Sequence, residues 1–133
     1  MTDRADVPSR VLEALREICA TLPESHEEAA WVGTRWRVRR RTFVHVYTVR
    51  PGQDTVFGRA SELDEPAVVM TFRAQPEEFE ALVNGGEPFF RAAWGHDVVG
   101  MMVEPDVDWA EVKELLTESY RKFAPAKLAR LLL

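Results

Sequence analysis

Six arginines and no carboxylate stand within residues 34–50, TRWRVRRRTFVHVYTVR. A guanidinium offers a planar fork of N–H donors that fits phosphate or carboxylate oxygens two at a time. On alternate positions of one strand, Arg35, Arg37 and Arg39 would stand about 7 Å apart on one face, with Arg41 at a turn and Arg50 on the neighbouring strand. Such a row suits successive phosphates of a nucleic acid. The competing reading pairs these side chains with some of the 22 acidic residues and lays their stems over Val44 and Val46.

Other chemistry is harder to assemble. His26, His45 and His96 share no metal-ligand spacing, and His45 is expected to be a structural histidine beside Trp36. Ser119 has neither a nearby histidine nor a glycine-flanked elbow, and no Gly-rich loop resembles a nucleotide cradle. The pairs Glu27–Glu28 and Glu77–Glu78 read as solvated charges at helix starts. Cys19, the single cysteine, sits among Val11, Leu12, Leu15, Ile18 and Leu22 and reads as packing. We therefore expect no enzyme, no metal and no cofactor. Among the four tryptophans, Trp94 is the one read as exposed and available to a ligand.

Charge and composition bound the partners. The segment's +6 sits in a chain of net charge −5, so the remainder carries −11. This balance argues against binding nucleic acid by bulk attraction and leaves a local signal. No apolar run reaches the ~18–20 residues of a membrane span, and acidic residues open the chain where a secretory signal would be basic. A cytoplasmic, non-membrane protein is expected.

The elements that position these residues follow from periodicity. Apolar spacing predicts a helix over 8–21, capped by Ser9 or Asp6 and stopped by Pro23. After a polar connection, PESHEEAA, a period-2 pattern predicts a hairpin with Arg40 and Arg41 as its turn. That register places Trp36, Val38, Phe43, His45, Tyr47 and Val49 on one face, and the arginines on the other. Residues 51–66 read as a long loop. AVVMTFR and DVVGMMVEP read as strands, presenting Val68, Met70 and Phe72, and Val99, Met101 and Val103. Pro76 opens a short helix that Gly85 and Gly86 close. Asp108 and Glu111 have capping-box spacing ahead of the stripe Trp109, Val112, Leu115, Leu116, Tyr120 and Phe123. The tail APAKLARLLL adds a helical turn or two whose leucines cover the sheet or a partner chain. The whole, residues 1–133, is expected to be one α+β domain, an antiparallel sheet with helices on one face and the other face partly wet.

With these elements placed, ICATLPESHEEAAW, WRVRRRTFV and AAWGHDVVGMMVEPDVDWAEVKELLTESYRKFAPAKL resemble the MmcQ/YjbR family of small bacterial proteins. The family's marks fall on Leu22 and Pro23, on Arg40, Arg41 and Phe43, on Asp108 and Trp109, on Ser119 and Tyr120, and on Ala124, Pro125 and Leu128. The resemblance implies a fold likened to bacterial frataxin and described as a double-wing DNA-binding module. It departs at Arg40, where the family favours glycine: either the turn takes another form, which is the expectation, or Arg40 is strained for a reason such as anion contact. DNA held by Arg35, Arg37, Arg39, Arg41 and Arg50 is the leading function. A protein-interaction or small-ligand module is the alternative, through a homodimer contact of the tail or a cleft between Trp94 and the 51–66 loop.

Overall fold

The computed structural model describes residues 7–50, 65–92 and 95–132. Asp6, most of the expected 51–66 loop and Trp94 lie outside the described residues.

Helix α1 (Ser9–Cys19) leads into strands β1 (His26–Ala29), β2 (Thr34–Val38) and β3 (Arg41–Val49). Strand β4 (Ala67–Arg73), helix α2 (Pro76–Asn84), and strands β5 (Phe89–Arg91) and β6 (Val98–Met102) follow. Helices α3 (Trp109–Phe123) and α4 (Ala126–Ala129) end the fold with a 3-10 turn, Arg130–Leu132. All strand pairs are antiparallel, in the order β1-β2-β3-β4-β6-β5. The architecture is α+β, as the periodicity predicts. Among the described residues no helix is long and apolar enough to cross a membrane.

One face of the sheet is covered by helices. Val11, Leu15 and Ile18 of α1 and Val112, Leu116 and Tyr120 of α3 join Trp36, Val38, Val44, Val46, Met70, Phe72, Val99 and Met101 in one buried cluster. The α3 stripe is placed by its cap: the Asp108 carboxylate accepts from the backbone N–H groups of Ala110 and Glu111 at 3.0 and 3.3 Å, which satisfies donors the first helical turn leaves open. Among the described residues α1 has no such cap, and Pro8 rather than Ser9 stands at the capping position. Tail residues Leu128 and Leu132 pack on the same core, while Leu131 is 67% exposed.

The hairpin register differs from the sequence reading in two ways. Arg39 and Arg40, not Arg40 and Arg41, form the two-residue turn, so that Val38 pairs with Arg41 and Arg37 with Thr42. Both turn residues have positive φ, 49° and 73°, the signature of the tight turn whose twist matches its flanking strands. The tight form is thus retained without glycine. Then the ladder shifts, and Trp36 pairs with Val44. Phe43 is the extra residue of a β-bulge, which lets Phe43 and Val44 both face the helices. The parity beyond it is reversed: Val44 and Val46 join Trp36 in the core, whereas His45 lies across from Arg35 on the opposite face. There Tyr47, Val49, Val69 and Phe90 form a second, smaller cluster with Val32 and Met102.

A left-handed arginine is strained by roughly 1–2 kcal/mol, part of which glycine would return as unfolded-chain entropy. Arg40→Gly is therefore expected to raise stability by roughly 0.5–1 kcal/mol, read as a higher urea midpoint at unchanged slope.

The residues that carry the family resemblance stitch this fold. Leu22 is buried, and the next carbonyl, Pro23, accepts a hydrogen bond from Tyr120 Oη at 2.6 Å. Ser119 Oγ donates to the Phe43 carbonyl at 2.6 Å and accepts from the Arg73 N–H at 2.9 Å. Ala124 ends α3 in extended geometry, Pro125 opens α4, and Leu128 returns to the core.

Candidate anion-contact site

The arginines are divided among three environments. Arg35 and Arg37 point from β2 to the face away from the helices, and β1 delivers Glu28 directly across from Arg35. Glu28 Oε1 accepts from Arg35 Nε at 2.7 Å and from Arg37 Nη1 at 3.2 Å. Hydrogen bonding to Arg35, then to Arg37, holds the Glu28 carboxyl below its ordinary pKa. One carboxylate thus serves two guanidiniums. Arg37 also donates through Nη2 to the Arg40 carbonyl at 2.6 Å, bracing the turn, while its buried Nε has no hydrogen-bond partner.

At the tip, Arg39 is committed. Its Nε and Nη2 donate to the two oxygens of Glu24 at 2.7 and 3.2 Å, and that bond lowers the Glu24 pKa. Arg40 is exposed and has no carboxylate partner among the described residues. Arg41 faces the helices, with its guanidinium carbon 4.3 Å from the centroid of the Phe123 ring, a cation–π geometry.

Two further cations that local sequence did not single out stand near this ring and Asp97. Arg73, at the end of β4, lies 5.6 Å from the same ring centroid and donates through Nη1 to Asp97 Oδ1 at 2.8 Å. Lys122 Nζ is 3.6 Å from Asp97 Oδ2. A second carboxylate is therefore shared by two cations. No spacing rule could have found this group, since residues 41, 73, 97 and 122 meet only through sheet pairing and the docking of α3.

Arg50 follows the far end of β3, separated from the turn by about nine residues at ~3.3 Å each, so it is not part of this cluster. Trp94 lies outside the described residues. The continuous row expected of Arg35, Arg37 and Arg39 is replaced by a basic end of the molecule in which some charges are neutralised. Because the Arg39–Arg40 turn pairs Arg41 with the core residue Val38, Arg41 meets α3 rather than its fellow arginines.

The remaining candidate groups have structural settings. His45 shares the Arg35 side of the sheet instead of the core beside Trp36, and its Nε2 is 2.5 Å from the Val32 carbonyl oxygen. A carbonyl only accepts, so Nε2 carries the proton. Burial, together with the charge of Arg35, keeps the imidazole pKa below its usual value. Burial also pushes the Cys19 thiol up to about 12, which leaves it protonated and unreactive. Among the described residues no three His, Cys, Asp or Glu side chains converge on a metal position.

A family model described as YjbR matches residues 20–122, most of the chain. Comparisons with curated proteins and with solved structures each return no match.

Proposed function

The chain belongs to the YjbR family, and on that premise we propose that it is a non-enzymatic, cytoplasmic binding module that contacts the phosphate backbone of DNA through its basic end. The observation that carries this reading is the sharing of carboxylates there. Glu28 serves both Arg35 and Arg37, Asp97 serves both Arg73 and Lys122, and Arg41 rests on a ring rather than an acid. Among the described residues these cations thus outnumber the acids they meet, within a chain whose total charge is negative.

Geometry also selects which arginines matter. Arg39 is neutralised by a two-point pair with Glu24, and Arg35 shares Glu28 at closer range than Arg37 does. Arg37, Arg40 and Arg41 surround the turn on both of its faces, so a backbone entering between them meets a donor on either side. Because Glu24 and Glu28 remain close by, only weak, salt-sensitive contact is in keeping with this arrangement.

Duplex DNA should bind at about 50 mM salt and weaken as salt rises, with a log–log slope near −3 for three phosphate contacts. The Arg37→Gln, Arg40→Gln, Arg41→Gln triple variant should bring that slope close to zero, whereas Arg39→Gln should leave most of it. Fluorescence anisotropy with a labelled duplex measures both. Absence of binding at the lowest salt, or an unchanged slope in the triple variant, would falsify the proposal.

A further inference from the structure

We propose that the DNA taken up at the basic end is a single strand, with one unpaired base stacked on the outer face of the Arg41 guanidinium while the Phe123 ring holds the inner face. The inference rests on the DNA reading and names the substrate class of that same site.

Arg41 differs from its neighbours in how it is held. Its guanidinium carbon lies over the Phe123 ring, 4.3 Å from the centroid, and among the described residues its side chain has no hydrogen bond or ion pair. The residue is nonetheless exposed. One face of the plane is therefore occupied by the ring, and the other face and the N–H edge are left to water. Arg35, Arg37 and Arg39 are instead held by their edges, on Glu28 and Glu24. Arg91 lies over the Phe79 ring at 4.7 Å, but it has Glu80 at 3.9 Å and stands on the far edge strand, away from the other arginines.

A platform of this kind selects for an accessible base face. Bases stack on guanidinium planes as they do on aromatic rings, and the ring beneath keeps this plane from turning edge-on. In a duplex each base face is covered by the next pair, so only an unpaired base offers one. Charge density points the same way. A duplex carries one charge per ~1.7 Å of axis, about twice the density of either strand, and the carboxylates of Glu24, Glu28 and Asp97 share this end of the molecule. Arg40 is exposed, next along the turn, and has no carboxylate partner among the described residues. It stands where the phosphate beside a stacked base would lie.

The test is fluorescence anisotropy of the full chain with labelled probes of about 12 nucleotides: a mixed-sequence single strand, its duplex, and a strand of equal charge from which every base is missing. At about 150 mM salt, where phosphate contacts are weakened, the strand should bind roughly fivefold or more tightly than either of the others, the gain expected from one stacked base. Arg41→Lys keeps the charge and loses the plane. It should retain the salt slope while the strand's advantage falls to within about twofold. Arg91→Lys should leave that advantage intact. Phe123→Leu should act as Arg41→Lys does, and if it fails to fold, the lysine variant and the abasic strand still decide. A strand bound no more tightly than its abasic counterpart, or an advantage that survives Arg41→Lys, would overturn the stacked base. Duplex binding with its salt slope would then leave the backbone contact standing. No binding of any probe at the lowest salt would remove the DNA reading and this inference together.

Discussion

Gly33→Ala is expected to cost about 3–5 kcal/mol, enough to unfold a large share of the molecules if the chain has ordinary domain stability. Two terms add at this position. Gly33 has φ of 75°, where a side chain is strained by roughly 1–2 kcal/mol. A Cβ there would also lie 2.0 Å from the Val46 carbonyl oxygen and 2.7 Å from Tyr47 Cβ. Backbone cannot swing aside as a long side chain does, so relief requires parting the start of β2 from β3. That pairing holds Trp36 over the core and brings Arg35 across from His45. Gly86→Ala is the built-in control: its φ is 86°, but nothing lies within 4 Å of the added carbon. It should lose only the conformational term, about 1 kcal/mol. Urea denaturation of both variants separates strain from overlap, and equal losses would show that the overlap is relieved at no cost.

The parts of this fold that were legible in advance are those whose burial follows a single period. The α3 stripe from Trp109 to Phe123, the Asp108 cap, and the inward sets Met70–Phe72 and Val99–Met101 all carry their own pattern. Both edge strands escaped that reasoning. Strand β1 is HEEA and largely exposed, so no apolar alternation marks it; its carboxylates answer the arginines of β2. Strand β5 has three residues and is defined by its pairing with β6. The hairpin register was illegible for another reason. Arginine is an unfavoured residue at both turn positions, and a bulge leaves no composition signal at Phe43.

Much the same holds for the site. Composition located the guanidinium groups correctly, but their electrostatic worth depends on partners far along the chain. Glu24 and Glu28 sit in a stretch that reads as a connection, while Asp97, Lys122 and Phe123 arrive only when β6 and α3 dock. The residues that mark the family are likewise those that hold the chain together: Pro23, Ser119, Tyr120, Pro125 and Leu128 all have packing or hydrogen-bonding roles. Belonging to the family therefore explains the scaffold more directly than it explains the partner. The functional distinction must come from the groups displayed on it, such as Arg37, Arg40 and Arg41.

Ser119→Ala should cost about 2–4 kcal/mol, because one hydroxyl satisfies two backbone groups that no water replaces at a fully buried site. The bulge withdraws the Phe43 carbonyl from the strand ladder, and Arg73 ends β4; Ser119 bonds both at once. Tyr120→Phe removes a single bond, to the Pro23 carbonyl, so it should cost closer to 1 kcal/mol. Thr117→Ala, at an exposed position where the hydroxyl bonds only the Lys113 carbonyl, should stay within about 0.5 kcal/mol. Denaturant midpoints test that order, and hydrogen exchange locates the damage, since the Arg73 amide should lose protection more than amides of the β4–β6 centre. The consequence extends to function through geometry. Ser119 bonds the carbonyl two residues along β3 from Arg41 and the amide of Arg73, and both guanidinium groups lie against Phe123, so the hydroxyl helps set the spacing of the basic end. A folded Ser119→Ala protein should therefore show a reduced salt dependence of DNA binding, even though Ser119 is itself buried. If the variant loses stability by the stated amount while the salt dependence stays intact, the basic end holds its geometry without the hydroxyl, and Ser119 contributes stability alone.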